Sequence, residues 1–321
     1  MTAKHKSPKK ASFGIAELYG RLYRVMSDQE RKEFVDASDV DCPFLVQAGS
    51  LSNGKTKCSK KGGVCSLRSF NEDPAAPDAA IFGAITTTCP NRFLENQTIL
   101  KGIGKLILGT ENPQIAKEVA FLKREGPAEP QPSEDSAEDG ESDRAIVDTE
   151  REDVGRIDLV FVHPDKAPLD WCAVEMQAVY FSGGAMSYDF KVIREYKGNG
   201  IPFPAKARRP DFRSSGPKRL MPQLQIKVPT LRRWGKKMAV VIDKPFLEAM
   251  GQMRAVSDIS NADIAWVVVS FEEDNSKATL KIDQVIYTTL ESAVEGLTAG
   301  HPTTLTDFET RLSDKIGSTP A

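Results

Sequence analysis

The sequence predicts an α/β fold in two parts, a helical, cysteine-bearing region followed by a larger core of strands and helices. Three observations predict it. Two β-type segments, residues 157–162 and 171–179, are apolar runs interrupted by acids. Four of the five cysteines fall within residues 42–89. Between these stretches, residues 126–143 are rich in Pro, Ser and acids and carry no large apolar side chain, the composition of a disordered linker. The expected boundaries are therefore a basic tail over 1–12, a four-cysteine region over 13–125, a linker over 126–143 and a core over 144–321. At 321 residues and 40% hydrophobic composition the chain can bury a substantial core.

Taken in order, residues 13–25 repeat apolar side chains at helical spacing, and Ser27 with Glu30 forms a capping box for a helix running to Val35. Residues 93–108 also have helical spacing, weakened by Gly102 and Gly104, and 115–123 reads as a further helix. In the segment 171–179 side chains alternate, so Trp171, Ala173, Glu175 and Gln177 share one face while Cys172, Val174, Met176 and Ala178 share the other. Residues 238–242, 264–271 and 279–287 are expected as strands, the last two joined by a polar turn at 272–277. Helices are expected at 246–253 and 290–297. A final helix begins at Thr306, whose spacing to Glu309 is that of a capping box.

Overall charge, 43 basic against 45 acidic residues, points to no partner, but its distribution does. Residues 191–237 hold fourteen Lys and Arg against Glu195 and Asp211, interleaved with Tyr196, Phe203, Phe212 and Trp234. Such a block suits a polyanion such as duplex DNA, although a solvated basic face would read the same way. No apolar run is long enough to span a bilayer, and the basic residues 4–10 are not followed by a signal-type apolar segment. A cytoplasmic protein with no membrane partner is expected. His5, His163 and His301 stand apart from any Cys or Ser constellation, which disfavours a hydrolytic triad.

Two constellations carry chemistry. Asp158, sixteen residues, then Glu175-x-Gln177 is a variant of the D…(D/E)-x-K site of Mg-dependent nucleases. Acids in two neighbouring apolar strands ask for a compensating cation, and Mg2+ favours such oxygen ligands. In that chemistry Asp158 and Glu175 hold the metal and Gln177 orients the attacking water. Two acids at strand edges facing solvent would explain the same residues. The second constellation is Cys42, Cys58, Cys65 and Cys89, set in turn-like surroundings at Cys42-Pro43, Gly62-Gly63-Val64-Cys65 and Cys89-Pro90. Four thiolates suit a closed structural site for Fe or Zn. The intervals of fifteen, six and twenty-three residues lack a C-x2-C knuckle, so four separate core cysteines are the alternative. Cys172 is expected to be a core residue.

With FGIAELYG from Phe13, CPFL from Cys42, GVC ending at Cys65, CPNR from Cys89 and VEMQAVYFSGG from Val174, the chain resembles the NotI-like type II restriction endonucleases. The resemblance runs in order from Phe13 to about Gly184 and thins afterwards. It implies a restriction-endonuclease-like (PD-(D/E)XK) core with a small domain holding one iron in four thiolates, and a homodimer that cleaves palindromic double-stranded DNA in a restriction-modification setting. It places Asp158, Glu175 and Gln177 on the catalytic positions, and Cys42, Cys58, Cys65 and Cys89 on the metal ligands. Gln in place of Lys is expected within this family. The expected function is therefore Mg2+-dependent, site-specific hydrolysis of phosphodiester bonds. The alternatives are a metal-containing DNA-binding protein that does not cleave, or a repair-type nuclease of loose specificity.

Overall fold

A computed structural model describes residues 12–52, 54–73, 76–123, 153–198, 200–299 and 303–317. The expected linker at 126–143, His5, His301 and all but the last residue of the basic tail lie outside the described residues.

The first segment departs from its expected helix. Residues 13–25 instead form β1 (Ser12–Leu18) and the short β2 (Arg21–Leu22), antiparallel across a turn at Tyr19 and Gly20, followed by a 3-10 turn at Tyr23–Val25. Both turn residues take positive φ, 47° and 76°. A Cβ at Gly20 would lie 2.9 Å from the Phe44 ring, so the turn depends on that glycine. The capping box then starts α1 (Asp28–Asp36) as the sequence predicts: Ser27 Oγ accepts from Glu30 N–H, and the Glu30 carboxylate accepts from Ser27 N–H. After α2 (Pro43–Gln47), strands β3 (Val64–Asp73) and β4 (Ala76–Thr87) complete an antiparallel sheet in the order β2-β1-β3-β4.

The stretch from Pro90 coils as a 3-10 turn, α3 (Thr98–Ile103) and a π turn at Gly104–Leu108 rather than as one helix. Arg92 of this stretch is wholly buried. Its guanidinium donates to Glu17 of β1 at 3.0–3.2 Å and to Ala278 O at 2.8 Å, and lies 4.6 Å and 5.1 Å from the Phe44 and Phe271 ring centres. One ion pair thus ties the small sheet to the large one.

The large sheet begins with a second correction. Residues 115–123, expected as a helix, lie in the edge strand β5 (Gln114–Lys123). Ile115, Lys117, Val119 and Phe121 alternate with more exposed neighbours, a period of two that competes in this sequence with helical spacing. The sheet continues with β6 (Asp153–Val162) and β7 (Trp171–Met176). A two-stranded ribbon of β8 (Phe181–Gly183) and β9 (Arg208–Pro210) flanks α4 (Ser187–Glu195). Then come α5 (Phe212–Ser215), α6 (Met221–Arg233), β10 (Met238–Asp243), α7 (Lys244–Ala249), β11 (Ile264–Glu273), β12 (Ala278–Thr288), α8 (Leu290–Thr298) and α9 (Leu305–Gly317). The cap of α9 is Thr304 with Asp307, not Thr306 with Glu309: Thr304 Oγ1 accepts from Asp307 N–H at 3.1 Å. Helix α7 is also shorter than expected, stopping at Ala249.

The strand order is β12-β11-β10-β7-β6-β5, parallel where β10 meets β7 and β11 and antiparallel elsewhere. This mixed sheet is covered on both faces. Leu159, Phe161, Cys172, Val174 and Val241 pack with Phe93, Leu100 and Ile103 on one side. Ile157, Val160, Ala173, Val240 and Trp266 pack with Leu224, Val228 and Leu231 of α6 and with α8 on the other. Burial of both faces explains why β10 and β11 read as unbroken apolar runs. The first of these cores also contains Cys42, Cys65 and Phe44, so the cysteine-bearing segment packs directly on the large sheet.

Candidate active site

The alternation expected for 171–179 sets the site. Cys172 and Val174 enter the core beside α3, whereas Ala173 faces α6. Glu175, in phase with Ala173, faces α6 as well. The antiparallel register pairs Leu159 with Val174, and one step further along both strands brings Asp158 beside Glu175. Regular strand hydrogen bonding ends at Met176, earlier than expected, and Gln177 continues it by donating its N–H to Val241 O at 2.9 Å.

The two acids differ sharply in environment. Glu175 is 3% exposed, whereas the Asp158 side chain is 40% exposed. Burial and then the neighbouring Asp158 charge push the Glu175 carboxyl up to about 8, against a smaller downward pull from Lys227. Lys227 Nζ lies 2.5 Å from Glu175 Oε2, 4.0 Å from Asp158 Oδ1 and 3.1 Å from Gln223 Oε1. The Gln177 side chain is largely buried and donates from Nε2 to Ala178 O at 2.6 Å. The structure thus brings Asp158, Glu175 and Gln177 together, and adds Lys227, which in the sequence is one more member of the basic block. A signal for it existed. Lys227 lies on the apolar stripe Leu224, Val228, Leu231 of α6, the only charged member of that helical face.

These side chains line one cleft of about 430 Å³, with Asp158, Glu175 and Gln177 on its floor and Lys60, Thr88, Tyr180, Lys218, Arg219 and Gln223 around them. Arg219 stacks on the Tyr180 ring at 3.6 Å from its centre and donates to the Tyr180 hydroxyl. Much of the basic block is used internally. Arg208 is buried against Asp189 at 2.7 Å, Arg194 meets Asp36 at 2.6 Å, and Arg232 is paired with Asp263 and Glu291. Lys218 and Arg219, with Lys60 from the cysteine-bearing segment, are the members that reach the cleft.

The four cysteines are organised as two backbone-linked pairs. Cys89 N–H donates to Cys65 O at 3.1 Å. The segments carrying Cys42 and Cys58 are joined by Cys42 N–H to Thr56 O and Cys58 N–H to Val40 O. Burial raises the Cys58, Cys65 and Cys89 thiols, and each is raised further by a neighbour: Cys58 by Cys42, Cys65 by Glu17 and then Cys89, Cys89 by Cys42 and Cys58. The thiols are therefore near one another. They do not form the expected ligand shell as placed: among the described residues no three His, Cys, Asp or Glu side chains are grouped to hold a metal ion. Two carboxylates, by contrast, fit a Mg2+ ion that keeps waters and substrate phosphate as its other ligands. Cys172, buried and pushed up to about 12 by desolvation, is a core residue as expected.

No helix among the described residues is long and apolar enough to cross a membrane. A search of curated proteins returns no match. The family model described as restriction endonuclease NotI matches residues 25–282, a span that contains all four clustered cysteines and every residue of the acidic cleft floor. A match over most of its length places the chain in the NotI family of restriction endonucleases, which are DNA-cleaving hydrolases.

Proposed function

We propose that this endonuclease hydrolyses phosphodiester bonds of duplex DNA at a short palindrome, that Mg2+ is required, and that Asp158, Glu175 and Gln177 carry the chemistry. The observation that supports the reading best is the pairing of Asp158 and Glu175 on the floor of a cleft edged by Lys60, Lys218 and Arg219. Two adjoining carboxylates, one of them buried, share the single ammonium of Lys227, and the negative charge that this leaves suits a divalent cation. Asp158 and Glu175 would hold Mg2+, which when bound polarises the scissile phosphate and makes water more acidic. The chain's own groups do the rest. Lys60, Lys218 and the Tyr180-braced Arg219 attract and seat the DNA backbone. With Gln177 Nε2 held by Ala178 O, Oε1 is the amide atom that accepts from the attacking water and fixes its direction. A palindrome has two-fold symmetry and two strands to cut, so a chain with one such site would act as a homodimer.

The four cysteines are proposed to be ligands of one structural Fe or Zn ion. That the Cys58 thiol is raised by Cys42, and the Cys89 thiol by Cys42 and Cys58, supports that role. Incubation of the purified protein with unmethylated phage genomic DNA, with Mg2+ or with EDTA, followed by sequencing of the ends, tests the whole reading. Discrete fragments with one common end sequence are expected only with Mg2+. Intact DNA under both conditions would refute it.

A further inference from the structure

Asp158, Glu175 and Gln177 leave the candidate site without the cation that D…(D/E)-x-K sites carry at the third position. The missing charge is present in space. Lys227 projects from α6 onto the same side of β7, and its Nζ touches two groups that line the cleft, Glu175 at 2.5 Å and Gln223 at 3.1 Å, with Asp158 at 4.0 Å. We propose that Lys227 is the cationic group of the nuclease site, supplying from a helix, behind Glu175, the ammonium that position 177 does not, and directing its charge toward the scissile phosphate. This inference rests on the nuclease reading above.

Three features carry it. First, Lys227 lies on an apolar helical stripe with Leu224, Val228 and Leu231, where a Leu or Met would pack without charge. Its side chain is only 7% exposed. Burying an ammonium costs several kcal/mol unless partners compensate, and a packed hydrophobic side chain is often no less stable there. Second, its partners are the two acids of the cleft floor rather than an ion pair remote from the cleft. Third, Gln177 cannot do the same work, because a neutral amide adds no charge and its Nε2 is already committed to Ala178 O. In the reaction, water oxygen bonds to phosphorus and gives up a proton to solvent, as the bond from phosphorus to the leaving oxygen breaks with its electron pair staying on that oxygen, which takes up a proton from solvent. Lys227 acts in this step through its charge alone. Its role is to offset the negative charge that grows on the phosphoryl oxygens, a preorganised electrostatic contribution.

The test is single-turnover cleavage, at saturating Mg2+, of the DNA fragment that the wild type cuts. Lys227→Gln retains a hydrogen-bonding side chain beside Glu175 without the charge, and urea melts verify that it folds. Its rate should fall by about 10²–10³-fold, the effect of removing one preorganised charge-stabilising group. The exchange variant, Gln177→Lys with Lys227→Gln, returns an ammonium to the same pocket and should cleave about tenfold faster than Lys227→Gln alone. A Lys227→Gln enzyme that reaches the wild-type rate once Mg2+ saturates would overturn the proposal, since Lys227 would then only order the carboxylates. An exchange variant no faster than Lys227→Gln would overturn it as well. Absence of cleavage by the wild type would overturn both this role and the nuclease reading, whereas cleavage by the wild type separates the two.

Discussion

Replacing Glu175 by Gln should make the protein inactive and, at alkaline pH without metal, more stable. The carboxylate is 3% exposed, and burial with the adjacent Asp158 lifts it from the usual 4.5 to about 8 despite Lys227. A carboxyl raised in the folded state favours the protonated form there. Its contribution is fully present below the unfolded value near 4.5 and is lost as pH rises through about 8. At about 1.4 kcal/mol per tenfold in proton affinity, the complete loss across that window is on the order of 5 kcal/mol. Gln keeps the shape and the contact with Lys227 but cannot ionise. In urea melts run with EDTA at several values between pH 5 and pH 9, the gap between variant and wild type should therefore open in the variant's favour as pH rises. Cleavage should be abolished at all of them, because the carboxylate proposed to hold Mg2+ is gone. Parallel stability profiles would show that Glu175 does not carry this burden, and wild-type cleavage by the variant would remove it from the active site.

Three further outcomes follow from the same structure. Gln177→Ala should bind Mg2+ better than Glu175→Ala yet cleave slowly at saturating metal, and Gln177→Lys alone should also lose activity, because its ammonium would crowd that of Lys227 at Glu175; single-turnover rates across a Mg2+ titration check both. Wild-type protein should carry about one Fe or Zn per chain and Cys65→Ser should lose it together with thermal stability, as elemental analysis and melting would show. Arg92→Met should destabilise by about 3–5 kcal/mol in urea, because it strands the wholly buried Glu17 carboxylate; the loss should shrink when Glu17→Gln is added.

The sequence carries the site's strands more clearly than its surroundings. In 171–179 a strict alternation separates Glu175 and Gln177 from Cys172 and Val174, and a buried strand has no freedom to rotate away from that pattern. The strands β10, β11 and β12 and the Ser27–Glu30 cap are legible for similar local reasons. What is not legible depends on distant partners. Residues 13–25 fit helical spacing, but a left-handed Tyr19-Gly20 turn and pairing with β3 make them strands. Residues 115–123 satisfy both periods, and the open edge beside β6 decides between them. The basic block gives no hint that Arg208 is taken by Asp189 or Arg232 by Asp263, since those acids lie nineteen or more residues away. Lys227 falls between the two cases. Its helical stripe is visible in the sequence, while its partner strand is not.

The cleft is lined by two distant stretches of the chain, Lys60, Thr88 and Pro90 from one and Lys218, Arg219 and Gln223 from the other. Cleavage chemistry and grip on the DNA are consequently not separable cassettes. A fragment beginning at β6 would retain Asp158, Glu175 and Lys227 but would lack one bank of the channel and the Arg92 tether to Ala278. Grafting the cysteine-bearing segment of a relative would thus also rebuild part of the cleft lining. Altered specificity in this scaffold has to be sought by substitutions within the intact chain, screened for cutting and recognition at the same time.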